Sequence, residues 1–304
     1  MKCVIIGAGG FIGRHLARAG LARSGPARSG DVLALDVAPP PDSSDAGFEI
    51  EACDAVAGDI ALPRGVDVVY YLAQSPFYRD FPAHGDHLFA VNVVGALRAA
   101  AAAEEAGARL FCYASSGTIY EPGFEPMAED RPARRDHAYA LSKVCAEEAL
   151  SLRGGATGVL CVRLFGVFGP GQGATLVQGV IDRVRGGRPV TIEPHPHDPA
   201  DTGGLRISLT YVEDVAGCLL ALGERAVAGR ATAPVLNVAG PAPVAIRQLA
   251  EQVGREAGVA PTFERAERCR ESDYVADIGR LRGHIDPRFT SLDEALARTL
   301  MAHV

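Results

Sequence analysis

Tyr139 and Lys143 are separated by one helical turn in Tyr139-Ala140-Leu141-Ser142-Lys143, a spacing that puts a phenol and an ammonium on the same helix face. An ammonium held beside a phenol favours the phenolate, so the pair can act as a base toward a hydroxyl proton. An exposed Tyr/Lys pair on any helix has the same spacing, and the rest of the chain must decide between the two. Ser115-Ser116-Gly117-Thr118 follows an apolar run that ends at Ala114. Its hydroxyls could hold a substrate oxygen, or they could form a plain Ser/Thr turn.

The N-terminal segment supplies a second kind of chemistry. Cys3-Val4-Ile5-Ile6 reads as a buried parallel strand, and it leads into Gly7-Ala8-Gly9-Gly10-Phe11-Ile12-Gly13 and a helical pattern through Leu21. Glycines at 7, 10 and 13 allow a tight turn, close approach of main chain to a pyrophosphate, and close packing of helix on strand. A second strand, Val32-Leu33-Ala34-Leu35, ends in Asp36. That is about 20 residues past the glycine turn, the interval at which an acid meets the ribose of a dinucleotide. A carboxylate there accepts bonds from a free 2′-hydroxyl and repels a 2′-phosphate, and Val37 and Ala38 offer no arginine for one. NAD is therefore expected over NADP.

These residues need a scaffold, and the chain alternates strand and helix patterns along its length. Pro39 to Ser44 reads as a loop, Phe48 to Ala52 as a third strand, and Val66 to Ala73 as a fourth. A long helix is expected from about Phe89 to Ala106, closed by Gly107. Its run from Ala99 to Ala103 suits either a subunit interface or ordinary internal packing. A strand from Arg109 to Ala114, the Tyr139 helix and a strand from Gly158 to Leu164 follow, without internal repeats. The alternation predicts an α/β fold, a doubly wound parallel sheet (Rossmann), with ligands beyond the carboxyl ends of the strands.

Composition agrees. A chain of 304 residues, 48% hydrophobic, can bury one large domain or a large domain with a smaller lobe. A net charge of −7 argues against nonspecific nucleic-acid binding and leaves no polybasic membrane patch. No signal-peptide pattern or membrane-length apolar run is read, so the expected location is cytoplasmic. Seven cysteines (3, 53, 112, 145, 161, 218 and 269) without a CxxC pair read as buried thiols in a reducing compartment.

Taken together, the glycine turn, Asp36, the hydroxyl turn and the Tyr139/Lys143 pair resemble the extended short-chain dehydrogenase/reductase group, the NAD-dependent epimerase/dehydratase family. The likeness runs along nearly the whole chain. Tyr71-Leu72-Ala73-Gln74 is similar to the family's stretch beside the cofactor ribose, and Val91-Asn92-Val93-Val94-Gly95 to its helix asparagine. Arg163-Leu164-Phe165-Gly166-Val167-Phe168-Gly169-Pro170-Gly171 resembles the nicotinamide-side segment. Tyr211-Val212-Glu213-Asp214-Val215-Ala216, Leu236-Asn237-Val238-Ala239-Gly240, Ile285-Asp286-Pro287 and Ser291 to Leu296 resemble later landmarks.

The resemblance implies roles. Ser116, assisted by Thr118, would hydrogen-bond the reacting hydroxyl, Tyr139 would take its proton, and Lys143 would hold ribose hydroxyls and keep the tyrosine acidic. Gly7, Gly10, Phe11, Ile12, Gly13, Asp36, Ala55, Leu72, Ala73, Asn92, Leu164 and Val167 would complete the cofactor site. Asp54 is preferred over Asp59 as the adenine-side acid. Gln74, Ser116, Gly166 and Arg206 would face substrate. No metal is expected; His195, His197, Asp198 and Asp201 read as part of a substrate-side loop. The Rossmann domain would comprise 1–165 and about 207–238, and a substrate-binding lobe about 166–206 and 239–304. A homodimer through the Phe89–Ala106 and Tyr139–Leu152 helices is implied.

Departures from the family pattern narrow the chemistry. Gly166 replaces an asparagine that contacts sugar nucleotides, and Ile207 stands where an arginine often clamps the diphosphate. Either Arg206 is shifted into that place by a bulge, or the substrate is not a standard nucleoside-diphosphate sugar. Gly117 and Thr118 replace the acidic pair of dehydratases, and Thr118 the glutamate of decarboxylating relatives. What remains is an NAD-dependent epimerase of a nucleotide sugar, working through a transient keto intermediate. The other reading is a net dehydrogenase or ketoreductase of a sugar-like or other small secondary alcohol. A catalytically quiet NAD-binding regulator is a third class, disfavoured by the intact Ser116, Tyr139 and Lys143.

Overall fold

A computed structural model describes residues 1–24, 31–37 and 47–302. The loop expected at Pro39 to Ser44, with Ala38, lies outside these residues. Apolar runs form the strands β1 (Cys3–Ile6), β2 (Val32–Asp36), β3 (Glu51–Ala52), β4 (Val68–Tyr71), β5 (Leu110–Ser116) and β6 (Gly158–Leu164). With Val235–Val238 they make one parallel sheet in the order Val235–Val238, β6, β5, β4, β1, β2, β3. Strand order reverses at β1, which opens a crevice beyond its carboxyl end, where the glycine turn begins. Every residue of β1 and β4 is buried, as a sheet covered on both faces requires.

Helices cover both faces. Phe11–Ser24 and Val212–Val227 pack on one through Leu16, Ala17, Val215 and Leu219. The helices around Ala96–Glu105 and Ala138–Ser151 pack on the other through Ala96, Ala99, Ala100, Ala103, Ala146 and Leu150. The alanine run therefore serves mainly the intramolecular core; Ala101 and Ala102 alone are half-exposed.

The elements depart from expectation where tertiary contacts decide. The third strand is only Glu51–Ala52, because it pairs with Leu35 and Asp36 at the very end of β2. β5 runs on past Ala114, since Ser115 and Ser116 pair in register with Arg163 and Leu164 of β6. The long helix begins earlier, as Gly85–Phe89, widens into a π-helical stretch at Ala90–Gly95, and continues as Ala96–Glu105. Carbonyls loosened by such a stretch can take bonds from outside the helix. Here Tyr71 donates to the Val91 carbonyl at 2.6 Å and Tyr113 to that of Asn92 at 3.0 Å.

A separate apolar cluster gathers Phe168, Ile181, Ile192, Ile207, Leu249 and Leu296. Within it, Arg206–Ser208 pairs antiparallel with Pro243–Ala245 in unbroken register. Among the described residues no helix is long and apolar enough to cross a membrane. All seven thiols are unpaired; Cys3, Cys112, Cys161 and Cys218 are buried, but Cys53 and Cys145 are half-buried and Cys269 is exposed, so the reading of all seven as buried thiols fails there.

Candidate active site

The crevice at the strand reversal is a cleft of about 1020 Å3. Its floor is main chain. Gly7 has φ +91°, and a Cβ there would lie 2.5 Å from the Ala73 nitrogen. A Cβ on Gly13 would lie 2.1 Å from the Gly7 carbonyl oxygen, so only glycine lets the Phe11–Ser24 helix start against the strand end. Gly10, Phe11 and Ile12 line the same floor.

Two carboxylates stand at the glycine-turn end of the cleft. Asp36 accepts bonds from the N–H groups of Gly9 and Val37, each at 2.8 Å, which fixes its side chain at the tip of β2. Asp54 accepts from the N–H groups of Val56 at 2.8 Å and Ala57 at 3.0 Å. The N–H groups of Ala57 and then Val56 hold its carboxyl below the ordinary range. Arg98 clasps this turn from behind by donating to the carbonyls of Val56 and Gly58. Asp54 and Ala55 line the cleft, as do Leu72, Ala73 and Gln74; Asp59 is not among the lining residues.

At the other end Tyr139 and Val167 enter the cleft wall. The Tyr139 ring packs 5.4 Å from that of Tyr78. Ser116 and Thr118 sit where β5 ends, their hydroxyls 2.9 Å apart, with the Thr118 N–H donating to Ser116 Oγ at 3.2 Å. Lys143 is buried one turn beyond Tyr139. Its Nζ donates to the Ala114 carbonyl at 2.9 Å and lies 4.9 Å from the Tyr113 ring centre and 5.8 Å from that of Tyr139.

Electrostatics in this structure differ from the simple expectation that Lys143 makes Tyr139 acidic. Burial pushes the Tyr139 phenol up to about 12, opposed by a hydrogen bond with Ser116. Burial likewise pulls Lys143 down to about 7, opposed by the carboxylate of Glu147 on the next turn. Desolvation outweighs the Ser116 bond in the one and the Glu147 carboxylate in the other.

Glu147 is itself held. Arg163 of β6 donates to it at 2.6 Å and to the Tyr120 hydroxyl at 2.8 Å, and Tyr120 donates to Asn237 Oδ1 at 2.7 Å. This buried network ties the Tyr139 helix to β6, to the hydroxyl turn and to the last sheet strand.

Several expected contacts lie elsewhere. Asn92 is buried beneath the wall, donating to Ser142 Oγ at 2.9 Å, while Ser142 donates to the Tyr139 carbonyl at 2.8 Å. It braces the Tyr139 helix. Leu164 is buried at the end of β6. Gly166, at φ +46°, can hold no side chain, because a Cβ would lie 2.4 Å from the Ser208 carbonyl oxygen. Gly117 is filled from outside: a Cβ there would lie 2.5 Å from the Phe165 ring, so the position of the dehydratase acid is occupied by an aromatic face. The unbroken register leaves no bulge at Arg206. Ile207 packs into the lobe core, and Arg206 projects from the opposite face, exposed and, among the described residues, without a side-chain partner.

Other residues were missed from sequence. Tyr78, His87 and Gln172 line the cleft. His87 stands one helical turn and a half before Asn92, on the same helix, with its Nδ1 2.9 Å from Ser75 Oγ. Arg270 is buried between Asp201 at 2.6 Å and Asp273 at 2.9 Å, which absorbs one acid of the 193–204 loop. His195 of that loop packs against the Phe124 ring at 4.1 Å. Among the described residues no three His, Cys, Asp or Glu side chains converge as a metal-ligand set.

Comparison with known proteins follows the same lines. The model of the NAD dependent epimerase/dehydratase family matches residues 3–239. The chain is 24% identical to the uncharacterized UDP-glucose epimerase YtcB of Bacillus subtilis strain 168, over 99% of this chain and 97% of that protein. It is 29% identical to the UDP-glucose 4-epimerase of Mycolicibacterium smegmatis over 60% of this chain and 61% of that one. The solved structure of MoeE5 in complex with UDP-glucuronic acid and NAD is similar with a TM-score of 0.76 and 26% identity, covering 100% of this chain and 99% of that chain.

Proposed function

This chain belongs to the NAD dependent epimerase/dehydratase family, and on that premise we propose that it is an NAD-dependent epimerase of a nucleotide sugar, working through a transient keto intermediate. The observation that carries the reading is that Tyr139 enters the cleft beside Ser116 and Lys143, while Phe165 fills the space over Gly117 where an acid for elimination would stand. Such a site can oxidise and re-reduce one carbinol. The relatives named above as UDP-glucose epimerases support a UDP-sugar.

The main-chain cradle fits a dinucleotide. Main-chain contacts that exclude a Cβ at Gly7 and Gly13 bring the helix start tight against the strand end, where its N–H groups would meet a pyrophosphate; Asp36 would take ribose hydroxyls, and Asp54 with Ala55 the adenine side. Bound NAD supplies the hydride acceptor and donor and, while oxidised, a positive ring that favours the Tyr139 phenolate. Ser116, braced by Thr118, holds the substrate hydroxyl. Tyr139 takes its proton as the carbinol is oxidised and returns it when the other face is reduced. Lys143, which keeps two N–H donors beyond the one given to the Ala114 carbonyl, would hold a ribose hydroxyl. Gln74 contacts the sugar.

Arg206 faces away from the place of the family clamp and Arg270 is engaged by two carboxylates, so neither takes the place of the clamp missing at Ile207. The 166–206 and 239–304 segments form the substrate lobe. A cytoplasmic homodimer through the Gly85–Glu105 and Ala138–Ser151 helices belongs to the same reading; Val94 and Leu152 expose apolar side chains on or beside them. Sedimentation at micromolar concentration should give a dimer, and a monomer alone would remove that part.

Loss of the usual clamp at Ile207 favours a second reading, a net dehydrogenase of a sugar-like or other small secondary alcohol. Mass spectrometry of the denatured protein, purified without added cofactor, separates the two. Stoichiometric NAD supports a closed redox cycle; an empty site shifts the weight to a dehydrogenase that exchanges its cofactor.

A further inference from the structure

His87, on the Gly85–Phe89 stretch that opens the long helix, lines the cleft. A chain of contacts ties it to the glycine turn. Gly7 lies against the main chain of Ala73, and two residues on, Ser75 is fully buried with its Oγ 2.9 Å from His87 Nδ1. The Phe77 ring meets the imidazole edge-on at 5.2 Å while stacking on His84 at 4.3 Å. The ring is thus held by the segment that follows β4, and its Nε2 has no partner among the described residues. The wall around it is short of positive charge. Asp36 and Asp54 line the cleft, and among the described residues no lysine or arginine does; Lys143 is buried, with its Nζ on the Ala114 carbonyl. A dinucleotide adds the negative charge of its pyrophosphate. N–H groups at the helix start meet part of that charge, and His87 is the one lining side chain able to become a cation.

We propose that His87 is a cofactor-binding residue whose Nε2–H donates to the pyrophosphate of bound NAD. Ser75 sets the tautomer. Its Oγ accepts from the Phe77 N–H at 3.2 Å, and among the described residues the one acceptor in reach of its proton is His87 Nδ1. A buried hydroxyl without an acceptor costs free energy, so Ser75 donates to Nδ1 and the ring proton sits on Nε2. Asp54 does not compete for that proton, since its bonds come from the N–H groups of Val56 and Ala57. Gln74 and Gln172, the two amides of the wall, give their own N–H groups to the carbonyls of Ser75 and Val167. The imidazole is therefore a donor fixed in orientation before the cofactor arrives, and an anionic acceptor makes the bond a strong one. The inference rests on the cleft as the NAD site and not on the identity of the substrate.

The experiment is a calorimetric titration of NAD into the full-length protein freed of carried-over nucleotide, on wild type, His87→Phe, which keeps a ring without a donor, and His87→Gln, which keeps an N–H. Adenosine, which has no phosphate, is titrated as a competitor of NAD in each. The expected result is NAD binding weakened about tenfold in His87→Phe and within about threefold of wild type in His87→Gln, with adenosine bound alike by all three. Equal NAD affinity in wild type and His87→Phe would overturn the role. Equal losses for NAD and adenosine would also overturn it, by placing the ring on the nucleoside, and so would equal losses in the two variants, by assigning the effect to packing. A wild type that takes up no NAD would overturn the cofactor site and this proposal together, so the wild-type titration tells the two failures apart. No substrate is needed, and the epimerase assignment does not enter. His87 is exposed, so its variants should fold. Should His87→Phe lose its cooperative unfolding, His87→Ala takes its place with the same expected loss.

Discussion

The two ends of the cleft are made of different material. The nucleotide end is main chain: a glycine cradle, N–H groups on Asp36 and Asp54, and close approaches that leave no room for a Cβ. The substrate end is side chain, with Ile207 turned into the lobe core, Arg206 turned out, and Arg270 taken by Asp201 and Asp273. A backbone site has one geometry that a few glycines specify. A side-chain site can be refitted by single substitutions, and here it departs from family habit at Gly166 and Ile207. The glycine end is therefore fixed by main chain that the family pattern announces, and the proposed substrate end by this chain's own side chains.

The comparison can be broken in several places. Tyr139→Phe removes the proposed proton carrier, and turnover should fall roughly 10²- to 10⁴-fold with NAD affinity little changed; surviving turnover in a coupled assay would take Tyr139 out of the mechanism. Gly13→Ala tests the nucleotide end alone. Its Cβ would meet the Gly7 carbonyl oxygen at 2.1 Å, so NAD affinity measured by calorimetry should drop by at least about tenfold, equivalent to about 1.4 kcal/mol. Near wild-type affinity would mean that the cradle is not rigid.

Arg206→Ala tests the other end. Arg206 is turned away from the clamp's place, so KM for a nucleotide sugar should stay within about twofold of wild type, with kcat and NAD binding unchanged. A rise in KM of about tenfold would put its guanidinium on the substrate phosphates.

The smallest effect is in the pH dependence of stability. Lys143 has a folded value of about 7 against an ordinary 10.5, so between these the unfolded chain binds more protons and stability rises with pH. Tyr113, Tyr139, Glu147 and Cys161 face Lys143 in both wild type and Lys143→Met, which makes the variant a matched reference. Relative to it, Tm of the cofactor-free wild type should climb by about 2–5 °C between pH 7 and pH 9. A flat difference would mean that Lys143 keeps its charge at no cost in the folded protein.

What could be read from the sequence follows the same division. Cys3-Val4-Ile5-Ile6, the glycines and Asp36 announce strand, turn and acid within one local stretch, and the sheet forms on those runs. Gly158 to Leu164 forms a strand over the span read from its apolar pattern. The π-helical stretch at Ala90–Gly95 carries no local mark, because it depends on Tyr71 and Tyr113 arriving from two strands. Arg270 could not be read as buried in an ion-pair cluster for a like reason: Asp201, one of its two carboxylate partners, lies 69 positions away in the chain. Phe165 stood beside Gly166 in a segment noted for its glycine, yet only the folded chain places its ring over Gly117.

The most direct test follows a UDP-sugar by proton NMR in the presence of enzyme and NAD, with NADH absorbance read on the same sample. The account predicts that the sugar equilibrates with its epimer while no NADH accumulates. A stable keto product formed with an equimolar rise in NADH would contradict it and make the protein a dehydrogenase.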